Sequence, residues 1–238
     1  MALVYASCAL GAVSLISFLV NFNKKRTVMG VFNKMTVSIF FILTAFFGIL
    51  HSMDKIGDPS ITKYGLLILV GLVFGMLGDI YLDQKWVYPD DNKKYLYAGF
   101  ITFGIGHLFY MTAIAVKAQL KLTQVLLGCC VGLVVVIVNV FIEKFTPQDF
   151  GEYRPIVMLY TLLVGSTPGV ALMAAIATHG DPAFIVFTVG AVFFLISDII
   201  LSPMYFSEGK NTPINFVLNH VTYYIGQYMF ALSILFLK

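Results

Sequence analysis

Two aspartates stand in stretches otherwise apolar enough to lie in lipid: Asp79 within FGMLGDIYLD (74–83) and Asp198 within FFLISDIILS (193–202). An aspartate in a membrane span costs about 2.5–3.5 kcal/mol on insertion scales, so it faces a protein interior or a wet cavity and marks a candidate site. Two carboxyl groups that share a site can divide acid and base work, because burial and a neighbouring like charge favour keeping one of them protonated. The small-Asp-Ile-x-Leu wording occurs twice, and this pair leads the catalytic candidates. The plainer alternative is a carboxylate that only bonds a neighbouring helix.

Other polar residues fall at matching depths. Lys34 starts the second apolar stretch, Tyr160 lies early in the sixth, and Tyr223 and Gln227 lie in the first half of the eighth. His107 and Tyr110 are midway along the fourth. With alternating helix directions, these groups and both aspartates share the half of the membrane that faces the odd-numbered loops, which predicts a polar cavity there. Asp83, one turn from Asp79, reads as interfacial, as do His51 and His179, while Trp86 and Tyr88 read as interface anchors. His107 and His220 fit a hydrogen-bonded core role as well as a site role. Asp79, Asp198, His107 and His220 could in principle form a mixed carboxylate-imidazole metal site. No H-E-x-x-H or cysteine cluster accompanies them, so neither metal nor cofactor is expected. There is no G-x-S-x-G elbow, and Ser166 and Ser197 lack a His/Asp escort, which argues against a serine nucleophile.

The elements that must position these residues are transmembrane helices. The 238 residues are 59% hydrophobic and 11% charged, with mean hydropathy +0.90, whereas soluble domains carry about 25% charged residues. Eight stretches have the roughly 20 apolar residues that a span requires: 3–22, 34–51, 64–83, 95–116, 120–142, 154–178, 182–205 and 214–237. The expected fold is an all-α integral membrane protein, one membrane domain over 1–238 with no soluble domain. The first stretch has no basic leader and reads as a retained span rather than a cleaved signal. A net charge of +3, thinly scattered, gives no reason to expect nucleic acid. Cys8, Cys129 and Cys130 lie in apolar runs and suggest neither disulfides nor zinc. Pro155, Pro182 and Pro213 sit at helix starts, and Thr167-Pro168-Gly169 predicts a kink or unwinding in the sixth helix.

Asp79 and Asp198 are 119 positions apart, as are Gly71 and Gly190, half the chain length. His107-x-x-Tyr110 and His220-x-x-Tyr223 follow in the next helices. The pattern suggests a four-plus-four repeat about an axis along the membrane normal. The stripe Gly71, Gly75, Gly78 suits close helix packing and turns Asp79 toward the bundle. Ten basic residues fall in the loops after helices one, three, five and seven: Lys24, Lys25, Arg26, Lys34, Lys85, Lys93, Lys94, Lys144, Arg154 and Lys210. Five fall elsewhere: Lys55, Lys63, Lys117, Lys121 and Lys238. The positive-inside rule then places the odd loops, and the site, on the cytosolic side. A eukaryotic source would imply an endomembrane such as the endoplasmic reticulum, and a bacterial one the inner membrane.

One ordered series is familiar: Lys34; Gly78-Asp79-x-x-Leu82; Gly99-x3-Phe103-x3-His107-x-x-Tyr110; Tyr160; Ser197-Asp198; and Thr222-Tyr223-Tyr224-x-x-Gln227. It resembles the YhhN family of multi-pass membrane proteins, whose characterised animal members are lysoplasmalogenases. The likeness spans helices two to eight. The loop VYPDDNKK is longer and more polar than the family pattern, and His220 stands outside it.

The resemblance implies hydrolysis of the vinyl-ether bond of a lysophospholipid substrate in the bilayer, giving a fatty aldehyde and a glycerophospho-base. A vinyl ether resists nucleophiles and breaks when an acid protonates the carbon beta to oxygen. The resulting oxocarbenium ion needs a carboxylate nearby, as in glycosidases. Asp79 and Asp198 would be the two catalytic groups, their roles open. Tyr160, Tyr223 and Gln227 would orient water or the hemiacetal, His107 and Tyr110 would support them, and Lys34 would meet the phosphate. No cofactor is implied, and a homodimer is one open arrangement. A proton-coupled transporter or channel is the alternative, since such proteins also use intramembrane Asp, His and Tyr; a non-catalytic lipid binder is a third.

Overall fold

A computed structural model describes residues 1–21 and 28–237; Lys24, Lys25, Arg26 and Lys238 of the charge count lie outside the described residues. The described residues form helices and connecting loops, without strands. In chain order the helices are α1 (Ala2–Val20), α2 (Val28–Ile56), α3 (Pro59–Val87), α4 (Asn92–Lys117), α5 (Leu122–Phe145), α6 (Arg154–Ala177), α7 (Pro182–Phe206) and α8 (Pro213–Ser233). Among the described residues seven helices, α1 to α7, are long and apolar enough to cross a membrane. The expected eighth span is helical, but Asn215, Asn219, His220 and Gln227 dilute its apolar run. Asn219, His220 and Gln227 are buried, so the polarity that weakens the hydropathy signal belongs to the bundle interior.

Local chemistry fixes where the helices begin. In α3 and α7 a proline occupies the first turn, where its missing N–H leaves no bond unmade. Just before it an aspartate caps the helix: Asp58 accepts from the Ser60 N–H at 2.8 Å, and Asp181 from the Ala183 N–H at 2.9 Å. Gly57 (φ +67°) and Gly180 (φ +88°) precede the caps in left-handed backbone that a side chain would strain. α6 runs without interruption through Pro168, so the expected unwinding at Thr167-Pro168-Gly169 does not occur. Thr167 Oγ1 donates to the Leu163 carbonyl (2.9 Å) one turn back, and the segment is buried.

Helices α1 to α4 pack in sequence, as do α5 to α8; α4 then meets α6 and α2 meets α8. Among the described residues α5 packs substantially on α6 alone. Their seam is built of Gly128 and Gly132 against Gly165 and Gly169. A Cβ on Gly169 would stand 2.1 Å from the Gly128 carbonyl oxygen, and one on Gly132 would stand 2.4 Å from the Leu162 carbonyl oxygen. The backbones touch, as small residues permit in membranes where no hydrophobic force drives helices together.

Forcing that seam apart should therefore loosen α5. Gly132→Ala is expected to cost about 1–3 kcal/mol by overpacking and to lower the melting temperature in detergent by several degrees. Leu133→Ala, at an exposed neighbouring position, should melt like the wild type. Equal melting of Gly132→Ala and wild type would show that the close approach is dispensable.

Candidate active site between two intramembrane aspartates

α2, α3 and α8 build one half of the site. Lys34, in the first third of α2, is only 6% exposed; its Nζ lies 3.3 Å from Asp79 Oδ1 and 3.1 Å from Asp83 Oδ1. One turn along α2, Ser38 Oγ donates to Asp79 Oδ2 at 2.8 Å. From α8, Tyr223 OH donates to the same oxygen at 2.8 Å. Asp79 therefore faces one ammonium and two hydroxyl donors while 2% exposed. The ammonium and both hydroxyls complement a carboxylate, and charge-assisted bonds of this kind are the stronger ones.

A chain of donors backs this carboxylate. Tyr110 OH donates to Gln227 Oε1 (3.0 Å), Gln227 Nε2 donates to Tyr223 OH (2.9 Å), and Tyr223 passes its own hydrogen to Asp79. The glycine stripe on α3 makes room for these side chains. A Cβ on Gly75 would lie 2.6 Å from Gln227 Nε2, one on Gly71 2.3 Å from the Tyr110 ring, and one on Gly78 2.5 Å from the Phe103 ring. The stripe expected to bring helices together thus gives room chiefly to polar and aromatic groups of the site.

α6 and α7 build the other half. Tyr160 OH donates to Asp198 Oδ2 at 2.7 Å, and no ion pair to Asp198 occurs among the described residues. Asp79 and Asp198 line one cavity of about 50 Å³, together with Lys34, Asp83, Tyr160 and Tyr223. A space of this size holds a few water molecules at about 10–15 Å³ each, and the polar partners water needs are present. The arrangement can hold water between one carboxyl group beside an ammonium and another that, among the described residues, is bonded by one hydroxyl.

The remaining candidates divide. Tyr110 reaches Asp79 only through Gln227 and Tyr223. His107 does not line the cavity: it is 1% exposed, its Nδ1 bonds Thr167 Oγ1 at 2.8 Å, and its ring meets Phe194 edge-on at 4.6 Å. Because Thr167 already donates to Leu163, Nδ1 is the donor in that bond and Nε2 carries the lone pair. His220 does line the cavity, and its Nδ1 donates to the Phe216 carbonyl at 2.8 Å. Among the described residues no group of three His, Cys, Asp or Glu side chains is placed to hold a metal ion. Lys34, expected at the phosphate, is engaged by carboxylates inside the bundle. Asp83, read as interfacial, is 8% exposed and shares that lysine. Ser38 is not among the candidates that the sequence singles out, yet it lies four residues after Lys34 as Asp83 lies four after Asp79. That shared helical spacing was the available signal.

A profile of the YhhN family matches residues 29–234, which takes in each of the side chains described at the cavity. Lysoplasmalogenase TMEM86A of Homo sapiens is 27% identical over 181 residues, covering 75% of this chain and 67% of that protein. No solved structure matches the chain. With the family pattern running through almost all of the helical bundle, the chain belongs to the YhhN family.

Proposed function

We propose that the chain hydrolyses the vinyl-ether bond of a lysoplasmalogen, releasing a fatty aldehyde and glycerophosphoethanolamine or glycerophosphocholine. The observation that carries this reading is the pair Asp79 and Asp198 on one water-sized cavity in unequal surroundings. The likeness to human lysoplasmalogenase TMEM86A supports it.

The inequality supports a division of roles. Asp198, whose Oδ2 accepts from Tyr160, carries its proton on Oδ1 and delivers it to the alkenyl carbon beta to the ether oxygen. The double bond becomes the new C–H bond, and positive charge spreads over the adjacent carbon and the ether oxygen. Asp79, kept ionised by Lys34, Ser38 and Tyr223, faces that cation and takes a proton from the water that adds to it. The hemiacetal then collapses: Asp79 returns its proton to the departing glycerol oxygen, and Asp198 recovers one from the hemiacetal hydroxyl. One water is consumed and both carboxyl groups regain their starting states.

The same reading takes α8 as the eighth span and the bundle as two related halves. Supporting it, α3 meets α4 at Gly71 and Gly106, while α7 meets α8 at Gly190 and Gly226. Gly57-Asp58-Pro59 opens α3 as Gly180-Asp181-Pro182 opens α7. The α4–α6 contact mirrors that of α8 with α2. With the odd-numbered loops in the cytosol, the cavity belongs to the cytosolic leaflet.

Purified protein should release aldehyde from lysoplasmalogen and nothing from an ester lysophospholipid, by mass spectrometry. Asp79→Asn and Asp198→Asn should each abolish release while remaining folded; near-normal turnover by either sinks the two-carboxylate mechanism. Uptake driven by a pH gradient, without lipid product, would favour a transporter instead.

In D2O, protonation at carbon places one deuterium beside the aldehyde carbonyl. Finding none in rapidly trapped product would exclude the acid step.

Lys34→Met should lose activity and about 3–5 kcal/mol of stability, the usual cost of stranding buried charge. Adding Asp83→Asn should restore melting but not turnover. A Lys34→Met protein that melts like wild type would remove the lysine from this role.

A further inference from the structure

A second, larger cavity opens beside the first. It measures about 610 Å³ and lies between α5, α6 and α7, within the roughly 300–1,000 Å³ of ligand-sized pockets. Its walls are mainly aliphatic: Val134, Val138 and Ile142 from α5 face Val164 of α6 and Leu195 and Ile199 of α7. Among the described residues α5 packs substantially on α6 alone, so the gap between α5 and α7 faces the surrounding bilayer as a groove. From Val134 to Thr146 the groove wall rises about 18 Å at 1.5 Å per residue.

Two features say what fills it. The groove and the water-sized cavity share Tyr160, Asp198, Leu201 and Tyr205, so they meet at Asp198. Polar residues cluster at the groove end nearest the loops after α5 and α7: Thr146, Gln148, Ser202, Ser207 and the exposed Lys210. That rim is tied together, with Gln148 bonded to Ser202 and the Asp149 N–H donating to the Phe206 carbonyl at 2.9 Å. Deeper along the α5–α6 wall Asn139 and Thr161 are bonded to each other at 3.1 Å. The result is an apolar trough with a polar, basic end and a carboxyl group between them.

We infer that this groove is the binding site for the hydrocarbon chain of a single-chain phospholipid, admitted sideways from the bilayer with its head group at the Gln148–Lys210 rim. This rests on the hydrolase reading and deepens it. In a lysoplasmalogen the vinyl ether stands where glycerol joins the chain, which is where Asp198 stands between rim and trough. The small cavity is left to water, which reaches the bond from the Asp79 side.

Two experiments test it, chosen so that its failure is separable from failure of the reaction. Val138→Trp fills the trough from a half-exposed position on α5, whose side chain takes part in none of the hydrogen bonds of the site. It should cut kcat/KM for a hexadec-1-enyl substrate by about tenfold and spare an oct-1-enyl one. Leu126→Trp, elsewhere on α5, should change neither. An equal effect of Val138→Trp on both chain lengths, or none, overturns the groove. If wild type cleaves neither substrate, the hydrolase reading fails, and the second experiment judges the groove. In that experiment a saturated alkyl lysophospholipid with a diazirine in its tail should label α5 between Val134 and Ile142. Unlabelled lysophospholipid should compete and a diacyl phospholipid should not. Labelling spread around the bundle, or equal competition by the diacyl lipid, means ordinary bilayer lipid only and overturns the proposal.

Discussion

An ammonium shared by two carboxylates can persist inside a bilayer only where protein surrounds it. Lys34, Asp79 and Asp83 meet that condition because α2, α3 and α8 close around them, leaving each no more than 8% exposed. Desolvating such a cluster costs several kcal/mol per ion unless geometry and further hydrogen bonds offset it. Ser38 and Tyr223 are those further bonds, and Gln227 and Tyr110 hold Tyr223 in turn. Helix α8 cannot then be a uniformly apolar rod; it must bring polar side chains to the bundle interior. Gly71 and Gly75 of α3 follow from the same constraint, since Tyr110 and Gln227, which serve Asp79, occupy the volume where their side chains would stand.

Across the cavity the second aspartate stands on α7, and among the described residues one hydroxyl, that of Tyr160, bonds it. The two carboxyl groups thus have chemically different neighbours. The difference comes from neighbours on α2 and α6, a lysine and serine on one side and a tyrosine on the other. A carboxyl pair in identical settings would share one proton without preference; unequal settings give each a direction of transfer.

The sequence makes the helical architecture legible because apolar runs of span length leave few alternatives. Asp79 and Asp198 are legible because ionisable residues stand out against such runs. Pairwise geometry is less so. Lys34 looks superficial from its place near the start of α2, and only tertiary packing turns its side chain inward. Asp83 is hidden by its proximity to a loop, and His107 draws attention by its depth although it serves an α4–α6 contact through Thr167. α8 is the instructive difference: composition measures how polar a helix is, while its suitability for a membrane interior depends on where the polar groups point. Pro168 makes the same point, for a proline in an α-helix need not unwind it where the segment is buried among neighbouring helices.

Helix α5 is the most apolar and least buried of the spans, and one glycine seam secures it. A helix held along one line answers to the bilayer around it, tilting to match its length to the thickness of the hydrocarbon. The opposite wall, α7, is anchored on two neighbours, α6 and α8. Any thinning or thickening of the membrane is therefore taken up on one side of the gap, so its width becomes a property of lipid composition as well as of this chain.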